Sequence, residues 1–600
     1  MKRKKTIILL VAIIAAVIYF YPRTPATVDE SRRQLATGEV IGFADVSDTY
    51  GWMGIPFAEP PLGDLRWRAP QPPLPWRGTL AAVKQPSMCS QILPFKLGGG
   101  PIPYGDEDCL YLDVWSPRLS QAQLAESKLP VMVWIHGGAN TLGGAQIAVP
   151  RNLAGEQKVI VVALQYRLGV FGWFSHPALR EAAPTPFDAS GNFGLLDMIA
   201  ALNWVQQNIE AFGGDKNNVT IFGESAGGAD VLALLGSPAA KGLFHKAIAQ
   251  SGNPKTVPLA AAENYRDDPE PGLPYSFREL INRLLVIDGL AADRAAAKTL
   301  QNQMSSAELT AYLRGKTAKE IFRGVEPRGD LGYQTPVNLR DGVVLPKTPL
   351  LEVLGEPGAY NAVPVILGSN RDEFKLFLWS SERFTRRRWG ILPELKAPAE
   401  YQRTVAYFSN LWQANGVDEP AARLSRSQPG EVYTYRFEWD EQPRQLGVDA
   451  PTLFGAAHGI DVVFLFGRAE VARLPLFAKV DDAASWDNLS RAMRGYWAEF
   501  ARTGQPGSGG GRWPLWQPWT DDDAHKMILD SQLHSANLAL TVADIKARLR
   551  GDKAIASTEA RCELYAQLFY YGLSNYFWSA QEYQALGCDE FPVSAFRALM

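Results

Sequence analysis

A serine flanked by glycines is the first group in this chain that could do covalent chemistry. The stretch Gly223-Glu224-Ser225-Ala226-Gly227 follows a short apolar run at residues 218–222 and precedes a helical run at residues 229–235. A serine in such a strand-turn-helix setting needs small residues two positions before and after it, because its backbone is strained and the strand and helix approach closely. The pattern predicts that Ser225 is a nucleophile at the end of a buried strand.

A serine hydroxyl needs a base to act as a nucleophile, and acyl transfer creates an oxyanion that needs fixed N–H donors. The stretch His136-Gly137-Gly138-Ala139 follows an apolar run at residues 131–135, and its glycines allow backbone N–H groups to face a substrate oxygen. We expect the donors to be the N–H groups of Gly138, Ala139 and Ala226, with Gly137 in support. Each donor is worth about 3 kcal/mol of transition-state stabilisation.

These motifs lie in a chain that alternates apolar runs with helical patterns. Residues 131–135, 159–164, 219–222 and 363–367 are typical of buried parallel strands. Residues 194–211 carry apolar side chains at spacings of three and four, which predicts an amphipathic helix packed on a sheet. Residues 254–342 and 381–428 are helix-like and are predicted to be insertions that cover the site. We therefore expect residues 29–600 to form one α/β domain.

The composition indicates a globular protein with a large core. The 600 residues are 46% apolar and 20% charged, and they include 17 Trp. The chain has 60 basic and 63 acidic residues, a net charge of −3, and no long basic stripe. A nucleic-acid binder needs such a stripe, so we expect no nucleic-acid partner.

The four cysteines favour disulfides over a metal site. None of Cys89, Cys109, Cys562 and Cys588 lies in a CxxC pair or a Cys/His cluster, so we expect no metal. Three pairings are open. The two pairs that are local in sequence, Cys89 with Cys109 and Cys562 with Cys588, are favoured in an oxidising compartment.

The first 28 residues predict export. Four basic residues at positions 2–5 precede an apolar run at residues 6–21, which is the pattern of a signal peptide or signal anchor. The sequence after this run offers no small-residue cleavage site, which favours an uncleaved membrane anchor, although a cleaved signal peptide stays an alternative. The basic residues place the bulk of the chain on the periplasmic or extracellular side.

Several further motifs make the chain resemble the type-B carboxylesterase family, which includes the cholinesterases. The motifs that carry the resemblance extend across most of the chain: Gly54-Ile55-Pro56-Phe57-Ala58-Glu59-Pro60-Pro61, Leu65-Arg66-Trp67-Arg68, Glu107-Asp108-Cys109-Leu110-Tyr111-Leu112-Asp113, Tyr166-Arg167-Leu168-Gly169, Asn192-Phe193-Gly194-Leu195-Leu196-Asp197, Phe212-Gly213-Gly214-Asp215 and the serine motif. The resemblance implies an α/β-hydrolase fold, with a central, mostly parallel sheet flanked by helices and large helical insertions. It also implies a disulfide between Cys89 and Cys109 and catalysis without a cofactor.

The family order of serine, acid and histidine selects the remaining catalytic candidates. Glu373 follows a predicted strand in a stretch that matches the family's acid loop, and His458 lies in a stretch that matches its histidine loop. Phe374 stands where the family usually has glycine, and neighbouring Asp372 is a rival for the acid. A base near the serine and a carboxylate that orients the base are also what the chemistry requires.

Other charged residues are open to two interpretations. Glu224 and Asp461 resemble a secondary acidic pair of the family's pocket, and the alternative is solvated loop charge. The cluster Arg383, Arg386, Arg387 and Arg388 either meets an anionic ligand or membrane surface or, as we favour, forms a solvated helix face.

The expected function is that of an exported, membrane-anchored serine hydrolase of small-molecule carboxylic esters. The segment from Cys89 to Cys109 contains no Trp, whereas in the cholinesterases this loop supplies an indole for the choline cation, so choline esters are disfavoured. Ala139 replaces the last glycine of the family loop and resembles variants that tolerate bulky alcohols. The alternatives are an amidase, thioesterase or acyl transferase of the same fold, and a non-catalytic adhesion or binding protein.

Overall fold

The structure, a computed structural model, describes residues 24–93, 102–327, 332–388, 392–444, 447–467, 483–520, 522–572 and 577–596. The predicted signal or anchor run at residues 6–21 lies outside the described residues. In the described ranges, no helix combines the length and the apolar character that crossing a membrane requires.

The strands come in one large sheet and several small ones. In chain order they are β1 Arg33–Leu35, β2 Gly38–Ile41, β3 Phe43–Asp45, β4 Thr49–Pro56, β5 Thr79–Ala81, β6 Gln91–Leu93, β7 Ile102–Tyr104, β8 Tyr111–Pro117, β9 Leu129–Ile135, β10 Ile160–Leu164, β11 Gly214–Glu224, β12 Lys246–Gln250, β13 Val257–Pro258, β14 Glu326–Pro327, β15 Tyr333–Gln334, β16 Leu339–Arg340, β17 Val365–Asn370, β18 Thr385–Arg388, β19 Leu392–Leu395, β20 Val432–Phe437, β21 His525–Leu529 and β22 His534–Asn537.

The α-helices alternate with these strands. They are α1 Gln121–Glu126, α2 Arg151–Gln157, α3 Gly169–Gly172, α4 Pro177–Glu181, α5 Phe193–Asn208, α6 Ala226–Leu235, α7 Leu259–Glu263, α8 Phe277–Ile287, α9 Arg294–Gln303, α10 Ser306–Arg314, α11 Ala318–Arg323, α12 Leu350–Val353, α13 Lys375–Leu378, α14 Pro398–Gln413, α15 Glu419–Ser427, α16 Ala450–Leu453, α17 Ile460–Phe466, α18 Ala483–Thr503, α19 Val542–Gly551, α20 Thr558–Tyr565 and α21 Ala580–Ala585.

An eleven-stranded sheet is the centre of the molecule, with the order β22-β21-β20-β17-β12-β11-β9-β10-β8-β4-β3. All neighbours from β21 to β10 are parallel, whereas β22 at one edge and β8, β4 and β3 at the other pair antiparallel. The carboxyl ends of parallel strands meet at one edge of a sheet, which is where open α/β sheets place their ligands.

Alternate residues of the central strands bury opposite faces of the sheet. On β9, Val133 faces the core that contains α5 and α6, whereas Met132 and Trp134 face the core that contains α17 and α18. Because successive side chains of a strand point to opposite sides, a strand covered on both faces is apolar throughout. The continuous apolar runs of the sequence therefore predicted the central strands correctly.

The two segments predicted as helical insertions contain strands as well as helices. Residues 254–342 hold α7 to α11 and the two-residue strands β13 to β16. Residues 381–428 begin with the antiparallel hairpin of β18 and β19, and a π-helix, Ala414–Asp418, then joins α14 to α15. The prediction that the arginine cluster lies on a helix face is wrong. Arg386 lies on β18 opposite Glu394 of β19, so the hairpin pairs opposite charges across its strands.

Two disulfides join the cysteines that are local in sequence. Cys89 pairs with Cys109, and Cys562 pairs with Cys588, as predicted. The second disulfide belongs to a third core in which α19 to α21 pack on α13 and α14. Structural disulfides form in oxidising compartments, so this pairing fits an exported protein.

Candidate active site

Ser225 lies at the sharp turn between β11 and α6. Its backbone has φ 59° and ψ −120°, a conformation that costs an ordinary residue about 1–3 kcal/mol. A Cβ at Gly227 would lie 2.1 Å from the carbonyl oxygen of Ile135, and one at Gly223 would lie 2.6 Å from Gly227. The glycines are required because β9, β11 and α6 meet at this turn, and Ser225 itself stays half-buried rather than enclosed.

His458 lies in the loop that enters α17, and Glu373 lies just after the end of β17. Nδ1 of His458 is 2.5 Å from Oε2 of Glu373. The other oxygen of Glu373 accepts hydrogen bonds from Ser251 Oγ at 2.6 Å and from the Asn370 N–H at 2.7 Å. Glu373 is fully buried, so these bonds fix a carboxylate that water does not reach.

The ring of His458 packs against aromatic side chains. The centroids of the Trp412 and Phe377 rings lie 4.9 Å and 5.3 Å from that of the imidazole. Nε2 of His458 is buried, and it has no hydrogen-bond partner in the described part of the chain. Glu373 thus fixes one ring nitrogen, whereas Nε2 makes no hydrogen bond to Ser225 or to any other described residue and has Glu224 as a near neighbour.

Asp372, the rival acid, contacts a different set of groups. One of its oxygens, Oδ2, accepts from Arg371 Nη2 at 2.8 Å, from Lys375 Nζ at 3.2 Å and from the Ala456 N–H at 3.1 Å. Burial alone would raise the pKa of Asp372, but Lys375 and Arg371 outweigh it and lower that pKa. Asp372 therefore anchors the loop before His458 rather than pairing with its ring.

Glu224 and Asp461 are both buried beside the histidine, so they are not solvated loop charges. Oε1 of Glu224 is 3.3 Å from His458 Nε2, and burial raises the pKa of this carboxyl. Burial disfavours the charged imidazole, but Glu224, Glu373 and Asp461 outweigh it and raise the pKa of His458.

Asp461 is held by three neutral donors rather than by a cation. It accepts hydrogen bonds from Gln250 Nε2 at 2.8 Å, from the Tyr435 hydroxyl at 3.0 Å and from Asn370 Nδ2 at 3.2 Å. Burial raises its pKa as well.

The glycine-rich loop after β9 passes directly beside the serine. A Cβ at Gly137 would lie 2.7 Å from the carbonyl oxygen of Glu224 and 3.1 Å from Ser225 Cβ. Gly138 has φ 114° and Ala139 has φ 55°, so the loop turns through left-handed backbone. Among the described residues, no hydrogen bond uses the N–H group of Gly138, Ala139 or Ala226.

Two side chains support this loop: His136, whose supporting role the sequence predicts, and Gln91, which the sequence does not single out. Gln91, inside the Cys89–Cys109 loop, accepts from the Gly143 N–H and donates to the Gly143 carbonyl oxygen, both at 2.9 Å. His136 stacks on Tyr166 at a centroid distance of 4.4 Å, and its Nδ1 lies 2.8 Å from the Gly137 carbonyl oxygen. Burial lowers the pKa of His136 to about 4, although the bond to Gly137 opposes it, which keeps the ring neutral.

Phe374, where the resembling family usually has glycine, lies in packed aromatic surroundings. It is buried against Phe408, Phe377 and Trp412, with ring centroids 4.5 to 5.7 Å away. The backbone N–H of Phe374 donates to Ser409 Oγ at 3.2 Å. Phe374 thus supports the wall that contacts His458, and it connects this wall to the third core.

Several residues of the site were missed in the sequence because they have no local signal. Ser251, Trp412 and Gln91 act through distant partners and match no short motif. Asp230 is different, because it is a fully buried carboxylate in the otherwise apolar helix α6, where a charged residue was visible as an exception. In the described ranges, no group of three or more His, Cys, Asp or Glu side chains is placed to hold a metal ion.

Comparison with known proteins gives consistent matches over most of the chain. Residues 29–387 and 393–546 match the model of the carboxylesterase family. The chain is 33% identical to carboxylesterase 1D of Rattus norvegicus over 564 residues, which cover 86% of this chain and 91% of that protein. It is also 33% identical to para-nitrobenzyl esterase of Bacillus subtilis (strain 168), over 83% of this chain and 95% of that protein. A solved structure of a PNB esterase matches with a TM-score of 0.64 and 30% identity, over 85% of this chain and 97% of the other.

Proposed function

Because the chain belongs to the carboxylesterase family and is a carboxylic-ester hydrolase with an α/β-hydrolase fold, we propose that it acts through Ser225, His458 and Glu373. Ser225 is the nucleophile, His458 the general base and Glu373 the carboxylate that orients the base. The observation that carries this proposal is the 2.5 Å contact between His458 Nδ1 and Glu373 Oε2, which fixes the imidazole tautomer with Nε2 as proton acceptor.

In the first step the Ser225 hydroxyl oxygen attacks the ester carbonyl carbon, and its proton passes to Nε2 of His458. The carbonyl π bond becomes a lone pair on oxygen, and the unoccupied N–H groups of Gly138, Ala139 and Ala226 bind this oxyanion. Collapse of the tetrahedral intermediate breaks the bond to the alkoxy group, which takes the proton from Nε2 and leaves as an alcohol.

Water then reacts with the acyl-enzyme by the same route. Its proton passes to His458, its oxygen forms the new bond to the acyl carbon, and the Ser225 oxygen leaves with the proton from Nε2. The products are a carboxylic acid and the regenerated serine. The cycle requires no cofactor.

The three acids around His458 favour the charged imidazole that forms during each step. Glu224 lies 3.3 Å from Nε2, and Glu373 holds Nδ1. An imidazolium between carboxylates is stabilised relative to the neutral ring, which is why the pKa of His458 is raised. We infer that Glu224 and Asp461 support catalysis electrostatically rather than by contact with the ester.

The substrate is proposed to be a small uncharged ester. The sequence of the Cys89–Cys109 loop contains no Trp, which argues against a choline site. The relative from Bacillus subtilis is named for para-nitrobenzyl esters. Aromatic esters are therefore suitable first substrates.

The test is hydrolysis of a series of p-nitrophenyl esters, from short to long acyl chains, by the purified chain and by its Ser225→Ala variant. We expect release of nitrophenolate that the substitution abolishes. Release that persists in the variant would contradict the role of Ser225, and no release from folded protein would favour a non-catalytic binding protein.

The same assay with matched p-nitroanilides separates an esterase from an amidase of the same fold. An ester has the better leaving group, and we expect ester turnover to exceed anilide turnover. Comparable turnover of both would favour the amidase alternative. Product analysis with added alcohol, and assays with matched thioesters, distinguish an acyl transferase and a thioesterase in the same way.

We further propose that residues 6–21 export the domain formed by residues 29–600 and anchor it to the membrane. The apolar run with four preceding basic residues and the two disulfides support this proposal. The full chain should stay in the membrane fraction after an alkaline carbonate wash, and a chain that starts at residue 29 should not. A mature N-terminus after residue 21 would instead identify a cleaved signal peptide.

A further inference from the structure

Asp230 is a buried acid on α6, one helical turn after Ala226. Its side chain is fully buried, and Oδ1 accepts hydrogen bonds from two side-chain amides, Asn140 Nδ2 and Asn338 Nδ2, each at 3.0 Å. Within the described residues it forms no ion pair with a cation. Burial raises the pKa of Asp230 to about 7, although the two amides oppose the rise.

A carboxyl in such a place lowers the stability of the fold, because burial penalises its charge. It is not required to fill the helix, since the other residues of α6 that face the core are apolar or glycine. Perturbed acids of this kind cluster at functional sites. The role of Asp230 follows from its two hydrogen-bond partners, Asn140 and Asn338.

The first partner, Asn140, directly follows the oxyanion donor Ala139. Asn140 has φ 56°, so two successive residues without the freedom of glycine hold left-handed backbone. Such backbone persists only where the surroundings fix it. Here the Tyr166 hydroxyl lies 3.0 Å from Asn140 Oδ1 and 2.8 Å from the His136 carbonyl oxygen, so that its one proton is shared between the two ends of the loop.

The second partner, Asn338, comes from the segment at residues 254–342. It too has left-handed backbone, with φ 51°, and its carbonyl oxygen accepts from the Val257 N–H at 3.0 Å. Asp230 thus connects three elements that are far apart in sequence: α6, the loop after β9 and the strand pair of β13 and β16.

We propose that Asp230 is a positioning residue that fixes the two halves of the oxyanion hole relative to each other. One half is the N–H of Ala226 at the start of α6, and the other half is formed by Gly138 and Ala139 on the loop. Ala226 and Asp230 lie on the same face of one rigid helix, since residues i and i+4 are one turn apart. A bond from Asp230 to Asn140 therefore sets the distance between the halves.

This inference rests on the proposed function, because the donors matter only if an oxyanion forms. A misplacement of about 1 Å costs roughly 100-fold in rate. Loss of the Asp230 bonds should therefore reduce turnover while leaving the nucleophile, base and orienting acid in place.

The test compares three variants of the full chain. Asp230→Ala removes the acceptor, whereas Asp230→Asn keeps one oxygen that can accept from both amides. Asn361→Ala is the matched control, because Asn361 Nδ2 donates to the carbonyl oxygens of Leu234 and Ser237 at the other end of α6, at 2.9 Å and 2.8 Å. It removes one hydrogen bond to α6 and one to the turn that follows the helix, without touching the loop.

We expect kcat of Asp230→Ala to fall about 100-fold with KM nearly unchanged. The affinity for a trifluoromethyl ketone, whose hemiketal oxyanion occupies the hole, should fall by a similar factor. Asp230→Asn should retain most of kcat and most of the affinity for the ketone. Asn361→Ala should lose little of either quantity. The inference would be overturned if kcat fell no further in Asp230→Ala than in Asn361→Ala. It would also be overturned if kcat of Asp230→Ala fell while the ketone bound as tightly as before.

Hydrogen exchange of the peptide at residues 136–144 provides a readout that needs no turnover. We expect exchange of this peptide to be about tenfold faster in Asp230→Ala than in Asn361→Ala, because the loop opens more often. Equal exchange rates of this peptide in Asp230→Ala and Asn361→Ala would overturn the inference, even if the unsubstituted enzyme is fully active. Absence of Ser225-dependent hydrolysis in the unsubstituted chain would instead overturn the proposed function, and the exchange rates would still decide whether Asp230 holds the loop.

Discussion

The imidazole of His458 and the carboxylate of Glu373 meet at 2.5 Å through Nδ1 and Oε2, where Glu373 is fully buried. Because Ser251 and Asn370 saturate the second oxygen of Glu373, the carboxylate has one orientation. In the proposed cycle this contact gives the two ring nitrogens different tasks: Nδ1 is held by Glu373, and Nε2 exchanges protons. Each catalytic step of the proposed cycle depends on this division.

Replacing Glu373 by Gln should lower kcat about 10³- to 10⁴-fold, because the amide favours the wrong imidazole tautomer. The measurement is steady-state hydrolysis of a p-nitrophenyl ester, with KM recorded alongside kcat. Because Glu373 is fully buried, we expect it not to contact the ester, and KM should change little.

Asp372→Asn is the control for this prediction. Asp372 holds Arg371, Lys375 and the Ala456 N–H, and removing its charge leaves Lys375 buried without an anion. Breaking a buried pair in this way costs about 3–5 kcal/mol. We expect a lower Tm and a loss of kcat far smaller than in Glu373→Gln. The opposite ranking of the two kcat values would make Asp372 the orienting acid.

The charge of Glu224 should set the acid limb of the pH profile. His458 must be neutral to take a proton, so kcat/KM should rise as pH rises through its raised pKa. In Glu224→Gln an anion 3.3 Å from Nε2 is lost, the pKa of His458 falls, and the limb should move to lower pH by about one unit. Asp461→Asn should move it less, because Asp461 contributes least to the raised pKa. An acid limb that stays in place in Glu224→Gln would contradict this assignment.

The two disulfides should contribute similarly to stability but differently to activity. They close loops with sequence separations of 20 and 26, each worth about 3 kcal/mol in the chain-entropy model. Among the described residues of the two loops, only Gln91 of the Cys89–Cys109 loop hydrogen-bonds the glycine-rich loop after β9, at Gly143.

Double Cys→Ser variants test this difference. Both should lower Tm, but only Cys89→Ser with Cys109→Ser should lower kcat markedly, by about tenfold when the donors lose their support. Assays run well below the Tm of each variant separate the two effects. Equal kcat values in the two double variants would show that Gln91 does not position the loop.

Asp113 should make the protein less stable as pH rises. It is fully buried on β8, Oδ1 accepts from the Gly54 N–H at 2.8 Å, and burial raises its pKa from 3.8 to about 7. Between these values the folded state holds a proton that the unfolded state has lost, so the stabilisation is present at low pH and disappears as pH approaches 7. From pH 5 to pH 8 the loss is about 3 kcal/mol.

Asp113→Asn removes this dependence and keeps an oxygen for Gly54. The Tm of Asp113→Asn minus the Tm of the unsubstituted chain should therefore be a few degrees larger at pH 8 than at pH 5. Asp64→Asn is the control for a carboxyl that is not buried, because the Asp64 side chain is 94% exposed. An equal difference at both pH values for Asp113→Asn would mean that this carboxyl titrates normally.

Local patterns in the sequence were sufficient to predict the centre of the fold. The central strands are apolar on both faces, so β9, β10, β11 and β17 appear as short continuous runs, and Ser225 is marked by its flanking glycines. The hairpin of β18 and β19 was missed because its arginines show no alternation of apolar and polar residues. Its two strands place Arg386 opposite Glu394, and these two residues lie eight positions apart in the sequence.

The supporting residues of the site depend on tertiary contacts that no local pattern contains. Asp372 and Glu373 are adjacent and chemically alike, yet one anchors a loop and the other contacts His458. Asp230 meets Asn140 and Asn338 across 90 and 108 positions of sequence. Only the unusual presence of an acid in an apolar helix was available as a signal.

The most direct test of the catalytic assignment is covalent labelling with diisopropyl fluorophosphate followed by peptide mapping. We expect one diisopropylphosphoryl group per chain, bound to Ser225, and much slower labelling of His458→Gln because the serine keeps its proton. Esterase activity that survives full labelling, or a label on any residue other than Ser225, would contradict the catalytic assignment.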